Sequence, residues 1–404
     1  MMNLKILKYH SYLQLTAYVA FLAMTLLAGG KIMAQVGTAP SLLYVVDTGD
    51  GWFDHSQILQ FDTAQGRILK TFNGGQDPDM ALSPDGSRLY VTAYSQDSDT
   101  APLENHLSVY DTASGKLLAK IGNPDAIKHT MQAYGTALTV SPSGRWLYIT
   151  KFHFNPANKG YYWYLTAFDT VQNQFLPVQA KLPCRDVTMV AMRQDLSVVL
   201  ICESSPYVFD VNLGNYANPI KRVPVRQSPA TSRVAGASSN GAVGIIPPKS
   251  QELWGAAFLQ PGVDKIALVS DLDGAIFSFD HTVGTSTMVG QQPRLKVGGI
   301  SKGFVSPNDD AVYFQTASSR LSGSNHSFSR RNQILSADPK TMSLKSTLTI
   351  SSPFFSMALS KDGHTIFTVN PDAATIGIVD TSTLTEVKQI SAVGRRPIYA
   401  IAAP

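Results

Sequence analysis

Few residues in this chain are spaced to do chemistry. Eight histidines (His10, His55, His106, His129, His153, His281, His326 and His364) never stand at a metal-ligand interval. There is no His-Glu-x-x-His, no Cys-x-x-Cys pair and no Cys-x-x-Cys-His haem attachment, and no Gly-rich phosphate loop follows a strand-like run. One stretch mixes acids with aromatics. It follows the apolar run ending in Asp47 and spans Gly49 to His55, with Asp50, Trp52, Phe53 and Asp54. Three carboxylates so close could hold a cation, but a hard cation needs a rigid set of oxygen ligands that this stretch does not spell. Exposed aromatics suit the wall of a channel or an interface, and Trp52 and Phe53 are the candidates. No catalytic residue and no metal ligand is predicted in this chain.

The other acids recur with a regularity that gives them a different task. Apolar runs end in Asp at Asp62, Asp111, Asp169, Asp210, Asp280, Asp338 and Asp380, with turn-forming residues such as Gln65-Gly66, Ser114-Gly115 and Gly214-Asn215 close behind. A carboxylate there caps backbone donors of the turn, so these aspartates are structural and not acid–base groups. Between them runs a second phrase, an apolar strand, a Ser-Pro-Asp-Gly-like turn and another apolar strand. It is clearest at Ser83-Pro84-Asp85-Gly86 and Ser141-Pro142-Ser143-Gly144, with weaker copies at Arg193–Leu196, Pro261–Asp264, Ser306–Asp309 and Ser360–Gly363. Self-similarity at about 40–50 residues with about four strands per unit is the signature of a propeller blade. Seven Asp-ended strands against six complete turns leave one blade to be finished by pairing Leu42–Val46 with Ile398–Ala402. The prediction is an all-β, seven-bladed β-propeller closed by its N- and C-terminal strands, which hides two edges that would otherwise invite aggregation. Ile220 to Gln251, rich in Pro, Ser and Gly, and Ser318 to Arg331 read as excursions on one face.

Residues 1–34 differ from the rest. Lys5 and Lys8 precede an apolar run from about Leu13 to Ala28, and small residues lead to Ala34. This describes a secretory signal peptide, with an uncleaved anchor as the alternative, and leaves 35–404 as the propeller. The leader holds three lysines and no acid. Its removal takes 33 basic against 29 acidic residues to 30 against 29, so nothing points to nucleic acid or, after cleavage, to a membrane. Cys184 and Cys202 flank one hairpin turn. In an exported chain an even pair at facing positions predicts a disulfide, which would contribute about 3 kcal/mol; two buried thiols are the alternative.

Several segments carry a resemblance to a family. Tyr44-Val45-Val46-Asp47 with its aromatic loop, Val109-Tyr110-Asp111 with Leu117–Ile121, the Leu182-Pro183-Cys184 … Ile201-Cys202 hairpin and the stretch from Leu344 to Ala402 resemble the heavy subunit of periplasmic quinoprotein amine dehydrogenases, methylamine dehydrogenase in particular. The resemblance implies a periplasmic, non-catalytic propeller in a heterotetramer. The tryptophan-derived quinone would lie on a small cysteine-rich light subunit, with a copper protein or c-type cytochrome as electron acceptor. It also implies that Trp52 or Phe53 lines the substrate channel for oxidative deamination of a primary amine. The alternative reading is a stand-alone exported propeller of the same repeat type, acting as a binding scaffold.

Overall fold

Middle strands of the repeat read as near-continuous apolar runs because both of their faces are covered. Leu42–Asp47 buries all but its first residue, and Thr365–Asn370 is buried throughout. The computed structural model describes residues 42–49, 56–95, 104–122, 132–155, 160–182, 187–191, 195–202, 207–215, 217–226, 258–259, 265–269, 276–280, 285–287, 300–308, 310–319, 328–338 and 343–403. The leader, Asp50, Trp52, Phe53, Asp54 and Cys184 lie outside them. Among the described residues all regular structure is strand.

The antiparallel pairings fall into sets of four. The first set joins Pro397–Ala402, Leu42–Asp47, Ser56–Asp62 and the start of Arg67–Leu82; that long strand continues into the second set with Arg88–Ser95, Glu104–Asp111 and Leu117–Gly122. The third holds Gln132–Val140, Trp146–Asn155, Gly160–Asp169 and Gln174–Phe175, with Ala180–Leu182 also on Gly160–Asp169. The fourth holds Val187–Ala191, Ser197–Cys202, Tyr207–Asn212 and Ile220–Arg226, and the fifth Phe258–Leu259, Lys265–Val269, Ile276–Asp280 and Thr285–Thr287. The sixth runs from Ile300–Val305 through Val312–Ser319 and Phe328–Ala337 to Leu344–Thr349; the seventh runs from Ser356–Leu359 through Thr365–Asn370 and Thr375–Asp380 to Thr385–Ile390. Radial repetition of four-stranded sheets is the β-propeller. Two expectations are corrected. Ile220–Arg226 is the fourth strand of its blade, not loop: Ile220 to Pro224 pair with Val211 to Tyr207, and Val225 and Arg226 run on in parallel with Ser286 and Thr287. Ser318–Arg331 is not wholly an excursion either, since Ser318 pairs with Ser329 and Ala317 with Arg330.

The core lies between blades rather than within one. Leu43, Val45 and Phe61 pack on Phe367 and Ile376 across the seventh–first junction, and Tyr44, Val46 and Phe72 pack on Met80, Val91 and Tyr110 across the next. Tyr90, Leu107 and Val109 meet Leu147, Ile149 and Phe168, while Tyr148 and Leu165 meet Val198, Leu200 and Phe209. Each such side chain contributes about 1.5–3 kcal/mol on full burial, and none could be buried by a lone blade.

Polar latches fix the angle between blades. The Thr after the capping Asp donates to the Ser-x-x-Gly turn of its own blade: Thr112 Oγ1 to Gly86 O at 2.6 Å, Thr170 Oγ1 to Gly144 O at 2.9 Å and Thr381 Oγ1 to Gly363 O at 2.8 Å. The same threonine hydroxyl bonds to a tyrosine of the preceding blade, pairing Tyr44 with Thr112, Tyr90 with Thr170 and Tyr313 with Thr381. The fourth blade has Leu213 at the Thr position, and there the hydroxyl of Tyr148 accepts from Leu196 N at 2.8 Å instead.

The terminal strands close the propeller, with Leu43 opposite Ala402 and Val46 opposite Tyr399. The closing strands extend the expected Leu42–Val46 and Ile398–Ala402 pairing by a clasp. The buried Asp47 carboxylate accepts Arg396 N at 2.6 Å on Oδ1 and Arg395 N at 3.0 Å on Oδ2. Gly394, at φ +70°, is needed because a Cβ there would strike that carboxylate. Asp47→Ala would strand these amides. It is expected to lower stability by about 2–4 kcal/mol, and Asp47→Asn, which keeps one acceptor, by about half that. Equal urea midpoints for all three proteins would show that the clasp contributes nothing.

Candidate functional site

Antiparallel alternation gives the blades two unlike ends. First-to-second and third-to-fourth strand connections gather at one, the turn end. Second-to-third connections and the crossings between blades gather at the other, the loop end. The turn end is stereotyped. Asp62 Oδ1 accepts Ala64 N and Gln65 N, each at 2.9 Å; Asp111 Oδ1 accepts Ser114 N at 2.7 Å; Asp169 and Asp380 bind the amides of residues 171–172 and 382–383. Ser83, Ser141 and Ser360 hydroxyls accept from Arg88, Trp146 and Thr365 amides at 2.9–3.0 Å. Arg88 pairs with Asp111 at 2.9 Å and Arg145 with Asp169 at 3.1 Å. In the fourth blade the cap is Asn212, whose Oδ1 accepts Gly214 N at 2.8 Å, not the expected Asp210, which lies within Tyr207–Asn212 opposite Val199. The side chains at this end are engaged with their own backbone.

The loop end holds the candidates. Asp47, counted above with the acids of the aromatic stretch, has both oxygens occupied by amides, so it anchors the chain where that stretch leaves the propeller. Trp52 and Phe53 fall outside the described residues. Cys202 ends its strand opposite Val187, three residues after Cys184, which is also outside them. Gly299-Ile300-Ser301-Lys302-Gly303 spells a Gly-x-Ser-x-Gly pattern, but Ile300–Val305 is a strand paired with Val312–Ser319, with no strand-to-helix elbow to present Ser301. No group of three His, Cys, Asp or Glu able to hold a metal occurs among the described residues.

The third blade carries what the sequence reading passed over. Its central hairpin reaches further toward the loop end than most, pairing Lys151 with Tyr164, Phe152 with Trp163 and His153 with Tyr162. Lys181 stands on the other side of Tyr164, and its Nζ lies 4.0 Å above the Tyr162 ring. Lys151 is 7% exposed. The runs Phe152-His153-Phe154 and Tyr161-Tyr162-Trp163-Tyr164 were the available signal.

No protein-family model matches this chain, and no curated protein does. Solved structures do. The periplasmic gluconolactonase of Pseudomonas aeruginosa superposes with a TM-score of 0.60 at 14% identity, over 91% of this chain and 99% of that one. A functionally unknown protein from Desulfotomaculum acetoxidans gives 0.60 at 13%, over 90% and 98%. The β-propeller domain of Cps50 (Swd1) from Myceliophteria thermophila gives 0.56 at 10%, over 81% and 89%. At these identities the likeness is one of fold, and the chain is similar to β-propellers.

The turn acids set a pH dependence. Hydrogen bonds from the Ser83 hydroxyl and from Ser87 bring Asp85 from 3.8 down to about 2, and the Ser114 hydroxyl and amide lower Asp111. Burial pushes Asp169, Asp362 and Asp380 up, but the hydrogen bonds they accept outweigh it and the net shift is downward. A carboxyl lowered by folding stabilises above its unfolded value and loses that contribution as pH falls through its folded one. Urea stability is therefore expected to be level from about pH 7 to 5 and to fall between about pH 4 and 2, with a smaller fall in Asp85→Asn.

Proposed function

We propose that this chain is the exported, non-catalytic propeller subunit of an amine dehydrogenase, seating a small quinone-bearing light subunit at its loop end. The observation that carries the reading is the division of labour between the ends. Acids and serines at the turn end are engaged in capping, while the longer connections start from the loop end, the one that holds Trp52 and Phe53 directly after the Asp47 clasp. A rigid support with its longer connections at one end suits recognition of a partner. The resemblance of the Asp47, Val109–Asp111 and Cys184–Cys202 segments to the heavy subunits supplies the identity of that partner. In this reading oxidation of the amine belongs to the partner's quinone; Trp52 and Phe53 shape the approach to it, and Cys184 and Cys202 form a disulfide. A second reading is an exported propeller acting alone as a binding scaffold.

Purified alone, the full chain is expected to show neither dye-linked amine oxidation nor quinone absorbance. Co-expressed with a small cysteine-rich chain from the same source, it should copurify and oxidise a primary amine, with Trp52→Ala or Phe53→Ala changing KM more than quinone content. Amine oxidation or lactone hydrolysis by the isolated chain would overturn both readings, and copurification without activity would favour the scaffold. Non-reducing peptide mapping should find Cys184 joined to Cys202, and Cys184→Ser should lower stability by about 2–5 kcal/mol.

A further inference from the structure

The junction between the second and third blades changes character along its length. Near the turn end it is apolar, with Ala81, Tyr90, Leu107 and Val109 against Leu147, Ile149 and Phe168. Alternation along the same strands then brings Thr92 to the face that carries Tyr90, and Thr166, Tyr164 and Lys151 to the face that carries Phe168 and Ile149. Thr92 and Thr166 are each 2% exposed, and their hydroxyls have no hydrogen-bond partner among the described residues. A buried hydroxyl without a partner is costly, and here two face one junction. Beside them Lys151, 7% exposed, places an ammonium group among residues of the interior. Asp79, opposite Thr92 and half-buried, adds a carboxylate whose Oδ1 accepts Met80 N at 2.8 Å.

We propose that this junction binds a small hydroxylated carboxylate. Lys151 would receive the carboxylate, as a compact ammonium does. The ligand's hydroxyls would satisfy Thr92 and Thr166, and they suit a place beside the Asp79 carboxylate, which a bare oxyanion would meet with like charge. Tyr162, Tyr164 and Lys181 lie on the same face toward the loop end, giving the entrance an aromatic wall and a second cation. The site stands independently of the amine dehydrogenase reading, since it uses none of that reading's residues.

Calorimetric titration of the full chain with glycerate, acetate, glycerol and inorganic phosphate tests it. Glycerate is expected to bind saturably at millimolar concentration, and more tightly than acetate, which lacks the hydroxyls, or glycerol, which lacks the charge. Thr166→Val and Lys151→Met should each weaken glycerate about tenfold. Thr166→Val, which removes an unpartnered hydroxyl at nearly constant shape, should also leave the ligand-free protein at least as stable as the parent. If Lys151→Met fails to fold, Thr92→Val serves as the second variant, with the same expectations as Thr166→Val. Absence of saturable glycerate binding, tighter binding of phosphate or acetate than of glycerate, or unchanged affinity in the Thr166→Val protein would overturn the proposal. So would a clear loss of stability in ligand-free Thr166→Val, the mark of a hydroxyl already bonded to water.

Discussion

A four-stranded sheet with two apolar faces cannot bury either one alone, and this constraint governs the molecule. Every described blade with a complete neighbour spends its aromatic and branched side chains on the junction. The latches follow from it: once faces are pressed together, a tyrosine hydroxyl arriving at the next blade must find a polar partner there, and the threonine behind the capping aspartate provides one. Where Leu213 replaces that threonine, the tyrosine turns to a backbone amide. The pairing rule survives a change of residue because the demand is for a polar partner, not a particular one.

The same constraint separates support from recognition. Turns at one end have to be short and capped so that strands stay in register, and this occupies Asp, Asn, Ser and Gly there. Connections at the other end are free of that requirement, because strand pairing is already fixed before the chain reaches them. Function on such a frame is written in loop-end segments and in the departures from pure apolar packing. Lys151, Thr92 and Thr166 are departures of this second kind.

Much of the frame was legible because its signals are local. A Ser-Pro-x-Gly turn or an Asp-Thr strand end reports its own geometry within a few residues, and pairing of the terminal strands followed from counting what was left unpaired. The clasp was not legible: Asp47 is satisfied by backbone amides of Arg395 and Arg396, and amides leave no mark on side-chain identity. The shift from Asp210 to Asn212 escaped because either residue caps a turn. Pro224 argued against a strand whose second partner, Ser286 and Thr287, lies some way further along the chain. The polar junction of the second and third blades depends on which face each residue takes, and a shift of one residue would have reversed it.

The clasp also dictates an order of assembly. It joins groups 348 residues apart in sequence, whereas the other described blades pair strands that follow closely along the chain. Loop-closure entropy makes such a contact among the last to form. Until it does, Leu42–Asp47 presents an unpaired edge and the seventh blade an uncovered apolar face. A chain in which that contact is open therefore has two complementary exposed surfaces, one at each end of the strand order. Exchange of Pro397–Ala402 between two molecules would satisfy both surfaces at once, so this closure is where domain swapping would begin.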